Sequence, residues 1–199
     1  MPSELPVHSI AAIATLTASI IAATISFVNL TLTKEQKTSE FRQKWIDSLR
    51  EELSMFFGCA RTFARATEEK HKLGGAYENE SLFKISEDKI SDIRYQVTEV
   101  FSRIKLRLNS DEPEHKELLR LLKRAIDEQN VALKEKTDAT KTLKAIEVAN
   151  DYAAPVLKAE WKRVKKGELP FRIARNWVAP IVFISSVVLI AFIWTGTFK

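Results

Sequence analysis

Few side chains in this sequence have the type and spacing needed for acid–base or metal chemistry. The three histidines are His8, His71 and His115. None has a Cys, Asp or Glu at ligand spacing on a shared helix face, so we expect each to be a solvated surface residue. The single cysteine, Cys59, excludes an intramolecular disulfide. Its phenylalanine neighbours predict a buried, unreactive thiol.

The sequence also lacks the motifs that bind phosphate or activate a nucleophile. The one glycine pair, Gly74-Gly75, has no Gly-Lys-Ser/Thr context, and there is no Gly-x-Ser-x-Gly elbow. Adjacent carboxylates occur at Glu51 and Glu52, at Glu68 and Glu69, and at Glu87 and Asp88. Their helical surroundings predict exposed helix faces. We therefore expect that the chain is not an enzyme and holds no cofactor and no metal.

A basic cluster with aromatic neighbours is the strongest local signal. It contains Lys162, Arg163, Lys165, Lys166, Arg172 and Arg175. A basic side chain near an anionic leaflet contributes about 1 kcal/mol of binding, so the cluster predicts contact with anionic lipid. It also sets membrane topology, and the two roles are compatible. Direct nucleic-acid binding is not expected, because the cluster should lie within a Debye length, about 8 Å, of the lipid surface.

The distribution of charge divides the chain into two apolar ends and a charged middle. Residues 1–33 contain one charged side chain, Glu4, and residues 176–199 contain one, Lys199. A helix of about 20 apolar residues crosses a bilayer, which predicts spans at residues 10–32 and 177–194. The first run exceeds the roughly 7–15 apolar residues of a signal peptide, so we expect an uncleaved anchor.

The two spans predict the organisation and the topology of the chain. Outer tails cover residues 1–9 and 195–199, and a helical domain covers residues 33–176 between the spans. Basic residues follow the first span and precede the second. The positive-inside rule then places both termini outside and residues 34–175 in the cytoplasm, with the lipid bilayer as a partner.

The first span carries a stripe of small side chains at Ala14, Ala18, Ala22 and Ser26, with a second stripe beside it at Ala11, Thr15, Ser19 and Ala23. Small residues let helix backbones approach closely. This face packs either on the second span of the same chain or on further copies in a homo-oligomer with a hydroxyl-lined centre. Neither span holds a charged residue, which argues against a pump or an ion-coupled transporter.

Apolar residues spaced three and four apart predict four helices in the middle region. The first continues from the membrane and ends before Gly74, and the second covers about residues 86–108. The third has Asp111 as its N-cap, and the fourth lies between a break near residues 137–140 and Gly167. The predicted fold is all-α, with two transmembrane helices flanking an antiparallel cytoplasmic four-helix bundle.

Two juxtamembrane strings, EFRQKWIDSLREEL at residues 40–53 and LKAEWKRVKKGE at residues 157–168, resemble small bacterial inner-membrane proteins with two spans around a helical domain. Some of these are encoded beside phage-defence genes, including the membrane effectors of retron systems. The resemblance implies a toxic effector that a cytoplasmic protein or ribonucleoprotein holds silent until infection. A membrane-anchored adaptor, whose helical domain recruits a cytoplasmic protein, is the alternative.

Overall fold

The structure is a computed structural model that describes residues 7–81, 84–167 and 169–194 of the 199-residue chain. All the regular secondary structure within these ranges is helical, which confirms the predicted all-α class. Of the predicted outer tails, residues 1–6 and 195–199 lie outside the described ranges.

The chain divides into two compact units. One comprises residues 1–42 and 164–199, and the other comprises residues 43–163. The apolar segments at residues 10–32 and 177–194 both belong to the first of these units.

The first helix, α1, covers Val7–Leu73 without interruption. This confirms that the first apolar segment continues as the first helix of the middle region. The helix ends at Gly74, which has a φ of +50°. Glycine adopts this left-handed conformation without a steric penalty, so it ends a helix at little cost.

Four further helices follow among the described residues as far as Lys166, after a 3₁₀ turn at Gly74–Ala76. They are α2 (Tyr77–Glu80), α3 (Glu87–Arg107), α4 (Pro113–Glu135) and α5 (Thr140–Lys166). The single-turn α2 has no counterpart among the predicted helices. The bounds of α3 confirm the predicted second helix to within about one residue.

The predicted cap of α4 is wrong by one position. Glu112 occupies the N-cap and makes no side-chain capping bond, while Pro113 is the first helical residue. The Asp111 N–H donates instead to Asn109 Oδ1 at 3.0 Å. A local turn formed by the asparagine side chain therefore fixes the conformation that precedes the helix.

The predicted break between α4 and α5 is confirmed. Lys136 has a φ of +54°, in the left-handed region, immediately after α4 ends. Asp138 Oδ1 accepts from the Thr140 N–H at 2.9 Å, and this bond lowers the pKa of the Asp138 carboxyl. At its other end α5 stops before Gly167, which has a φ of +69°.

One apolar core fills the middle unit, and α1, α3, α4 and α5 all contribute to it. Its most deeply buried large side chains include Leu49, Phe56, Ile104, Leu118, Leu122 and Ile146. Each lies on the apolar face that the spacing predicts. Burying such a side chain contributes about 1.5–3 kcal/mol, so this core is the main source of stability in the unit.

The C-terminal segment is helical from Leu169 to Trp194. It consists of α6 (Leu169–Ile173), a π-helical segment (Ala174–Val178) and α7 (Ala179–Trp194). Pro170 is the second residue of α6. Proline is tolerated in a first helical turn, where its missing N–H would be unpaired in any case.

Candidate functional site

Two of the described helical segments, one near the N-terminus and one containing Phe171–Val188, are long and apolar enough to cross a bilayer. Their large apolar side chains face outward: Leu30 is 71% exposed and Phe183 is 70% exposed. In the segment near the N-terminus, none of the most apolar 18-residue stretch is buried within the chain. In the segment that contains Phe171–Val188, 6% of the corresponding stretch is buried. The core helix of a soluble protein would be covered, and these two apolar stretches are not.

One face of each apolar helix is covered inside its own unit. In α1 the half-buried residues recur every three or four positions, at Thr17, Ile21, Thr24, Val28 and Thr31. In the C-terminal segment the described residues that are half-buried are Phe171, Val178, Ala179, Val182 and Ser186, and Ala174 is buried. Both segments belong to the same compact unit. In each segment the covered residues lie on one face of the helix.

The small-residue stripe of α1 lies beside this covered face and is itself exposed. All four of its residues, Ala14, Ala18, Ala22 and Ser26, are exposed, as are the members of the second stripe, Ala11, Thr15, Ser19 and Ala23. Because the chain covers a different face, the surface suited to close helix–helix approach stays open.

Several of the hydroxyl groups along α1 are satisfied within the helix. Thr15 Oγ1 donates to the Ala11 carbonyl oxygen at 2.9 Å, and Ser19 Oγ donates to the Thr15 carbonyl oxygen at 2.9 Å. Thr24 Oγ1 makes the same four-residue bond to Ile20 at 2.8 Å. A hydroxyl paired in this way can enter hydrocarbon at small cost, so these residues do not in themselves require a water-filled centre.

All six members of the basic cluster are exposed, and the Arg175 guanidinium lies 5.2 Å from the centre of the Phe171 ring. Arg163 is also held by two carboxylates, because its Nη1 donates to Glu112 Oε2 at 2.6 Å and to Glu160 Oε1 at 2.8 Å. The carboxylates compensate its charge inside the chain.

His115 is buried, which contradicts the sequence-based expectation of a solvated residue. Only 3% of its surface is exposed. The ring Nδ1 accepts from the Asn109 N–H at 3.2 Å, and the ring centre lies 6.1 Å from that of Trp45. Its Nε2 lies 3.6 Å from Glu160 Oε1. Because Trp45 and Glu160 are distant in sequence, spacing alone could not reveal this site.

Glu112, His115 and Glu160 have ligand atoms within 4.8 Å of one another, which is close enough to hold a metal ion. The bonding pattern opposes that role. Since Nδ1 accepts a hydrogen bond, the proton of the neutral ring lies on Nε2, the atom that faces Glu160. Arg163 already binds both carboxylates. The cluster is an ion-pair network that joins α5 to the start of α4.

This network changes the acid–base properties of its members. The hydrogen bond from Arg163 holds the pKa of the Glu112 carboxyl below its usual range, although partial burial opposes the shift. The same bond raises the pKa of the Arg163 guanidinium. Both groups therefore remain charged at neutral pH, as a salt bridge requires.

Three of the carboxylates expected on exposed faces are covered or half-buried instead. Glu52 is 7% exposed, and Glu68 and Glu69 are half-buried. Glu68 Oε1 accepts from Lys72 Nζ at 2.8 Å, and this bond is the main reason that the pKa of Glu68 is lowered. The sequence places all three carboxylates next to an apolar stripe, where the packing of a neighbouring helix decides exposure.

Cys59 is partly buried, in agreement with the expected apolar environment. It packs against the core, and its Sγ donates to Gln96 Oε1 at 3.4 Å. Desolvation by burial raises the pKa of the thiol, against a smaller opposing effect of Lys89. A raised pKa reduces the thiolate fraction, as expected for an unreactive cysteine.

Comparison with known proteins assigns no family. The chain matches no protein-family model, no curated protein and no solved structure. The exposed apolar helices and the packing of the middle unit are therefore the basis for a functional proposal.

Proposed function

We propose that the chain is a two-span protein of the bacterial inner membrane. In this proposal both termini lie outside, and residues 34–175 form an antiparallel four-helix bundle in the cytoplasm. The support is the exposure of the apolar segments, the basic residues that flank both of them, and the single core to which four helices contribute. The positive-inside rule supplies the orientation.

We further propose that the protein is a membrane-perturbing effector of an antiphage defence system of the retron type. A cytoplasmic protein or ribonucleoprotein partner holds it silent, and infection releases it to damage the inner membrane. The observation that carries this proposal is the uncovered small-residue stripe on α1, at Ala14, Ala18, Ala22 and Ser26. The proposal needs no cofactor and no catalytic residue.

In this mechanism the released chains form a homo-oligomer through the stripe. Small side chains bring α1 helices of neighbouring copies within backbone contact, and dispersion then stabilises the pair. The hydroxyls of Thr15 and Ser19 lie beside the contact, and they can exchange their bonds within the helix for bonds across it. Close association of several such helices would open the bilayer to ions.

The direct test is to express the full chain alone and to follow membrane potential and growth. We expect depolarisation and arrested growth. The double substitution Ala18→Leu with Ala22→Leu adds bulk at the contact, so it should restore a polarised membrane. Leu16→Phe with Ile20→Phe is the matched control, because both residues are exposed and lie on the opposite side of α1 from Ala18 and Ala22. A polarised, healthy culture at high expression of the unmodified chain would contradict the proposal, as would equal rescue by the control.

A membrane-anchored adaptor is the second candidate, and an exposed apolar pair on α3 favours it. Tyr95 is 70% exposed and Leu106 is 88% exposed. They lie eleven residues apart, which places them on one face three turns apart. A cytoplasmic partner would cover this face. Two results together would favour the adaptor over the effector. The full chain should capture one partner stably and lose it on Tyr95→Ser with Leu106→Ser, and expression of the chain should not be toxic.

A further inference from the structure

A groove of about 660 Å³ opens in the middle unit, between the C-terminal part of α1, the first turns of α3 and the end of α4. Its apolar lining comes from Phe63, Ile90 and Leu133, one residue from each helix. Phe63 is 3% exposed and Ile90 and Leu133 are half-buried. Sites for small molecules occupy about 300–1,000 Å³ and have largely apolar linings. The groove has the volume of such a site, and these three residues form an apolar patch within an otherwise mostly polar lining.

The charged residues of the groove are mostly basic. Lys70, Arg94 and Lys136 line it, together with the single carboxylate of Glu87. Lys70 Nζ donates to Glu87 Oε1 at 2.5 Å, so these two charges compensate each other. Within the part of the chain that the structure describes, Arg94 and Lys136 have no ion-pair partner. The groove therefore carries two positive charges that nothing in its lining neutralises.

We propose that this groove binds a small organic anion, whose anionic group contacts Arg94 and Lys136 and whose apolar body lies against Phe63, Ile90 and Leu133. A guanidinium and an ammonium together offer several donors to a carboxylate, and charge-assisted bonds of this kind are the stronger class of hydrogen bond. The apolar lining adds affinity in proportion to the ligand surface that it covers. This inference does not depend on the proposed membrane activity.

The charge of the site distinguishes its ligand from other small molecules. A cationic ligand would face Arg94 and Lys136 at short range and would be repelled. An uncharged molecule of equal size would leave both basic groups uncompensated and would gain only from the apolar lining. Affinity should therefore fall as salt concentration rises, because the basic side chains are exposed to solvent.

Fluorine NMR with 4-(trifluoromethyl)benzoate as the probe tests the proposal. The full chain is held in nanodiscs of neutral phosphatidylcholine, and empty nanodiscs measure partition of the probe into lipid. The uncharged 4-(trifluoromethyl)benzamide has the same shape and reports the contribution of charge. We expect the benzoate to bind the protein at least about tenfold more tightly than the benzamide, which corresponds to about 1.4 kcal/mol.

Substitution should locate the binding in the groove. Arg94→Gln with Lys136→Gln should raise the Kd of the benzoate at least about tenfold. Lys123→Gln with Lys158→Gln removes the same charge from exposed positions outside the groove lining, and it should leave the Kd unchanged. Leu133→Asn should weaken both probes. Any one of three results would overturn the proposal. The two probes could bind equally, the two double substitutions could have equal effects, or the benzoate could show no binding above the nanodisc background.

Discussion

Arg107 Nε donates to Glu52 Oε2 at 2.7 Å, across 55 residues of sequence. The bond joins the end of α3 to α1 and satisfies a carboxylate whose residue is 7% exposed. Removing the cation from such a pair leaves a covered charge without compensation, whereas removing the charge itself does not. The two partners should therefore differ in their response to substitution.

Arg107→Gln should lower the free energy of unfolding by about 2 kcal/mol, because the Glu52 carboxylate loses its charged partner. Glu52→Gln should cost less, since the amide oxygen still accepts from Arg107 and no buried charge remains. Chemical unfolding of the full chain in detergent measures both values. Equal losses for the two variants would show that the covered charge is not the cause.

Arg163→Gln should destabilise the protein in a pH-dependent way. Because the folded pKa of Glu112 is lowered, its carboxylate stabilises the fold above the ordinary glutamate pKa of about 4.3. This stabilisation is lost as pH falls through the lowered pKa. The variant should therefore differ from the unmodified chain at neutral pH by roughly 1 kcal/mol or less, given the exposure of Arg163. The difference should disappear in acid, and a constant difference from pH 7 to pH 3 would contradict the assignment.

Thr142→Val should stabilise the protein. The Thr142 side chain is fully covered, and its Oγ1 has no hydrogen-bond partner among the described residues. Valine has nearly the same shape and removes an unsatisfied hydroxyl, which should raise the free energy of unfolding by up to about 1 kcal/mol. Ala145→Val, which adds volume without removing a polar atom, is the comparison. A loss of stability in Thr142→Val would mean that a bound water satisfies the hydroxyl.

Alkylation of Cys59 should be slow in the folded protein. Burial raises the pKa of its thiol, so the reactive thiolate is scarce at neutral pH. We expect the rate with N-ethylmaleimide to rise at least about tenfold on unfolding in detergent with denaturant. Gln96→Leu removes the acceptor of the thiol bond but keeps the site covered, so it should change the rate far less. Equal folded and unfolded rates would show that the thiol is freely accessible.

Members of the basic cluster should differ in their contribution to lipid contact. Added phosphatidylglycerol should raise the melting temperature of the full chain in detergent. The double substitution Lys162→Gln with Lys166→Gln should make this increase smaller. Each of these exposed side chains is expected to contribute about 1 kcal/mol near an anionic surface. Arg163→Gln should reduce it less, because Glu112 and Glu160 already bind that guanidinium. An equal effect of Arg163→Gln would contradict this ranking.

The sequence determined the helical class and most helix ends, because these depend on local interactions. The three- and four-residue spacing of apolar residues predicts α3 closely, and Gly74 and Gly167 end helices through backbone conformations that glycine adopts freely. The exclusion of charge from residues 10–32 and 177–194 likewise predicts two apolar helices long enough to span a bilayer. Each of these signals is contained within a short stretch of chain.

The tertiary structure alone decided which polar residues are covered and which face of α1 remains open. His115 is covered because Trp45 and Glu160 come to it from other helices, and Glu52 is satisfied by Arg107 from a distant part of the chain. On α1 the small-residue stripe and the neighbouring covered face are similarly apolar, so periodicity cannot choose between them. Burial and ion pairing depend on partners far away in sequence, and a local pattern contains no information about those partners.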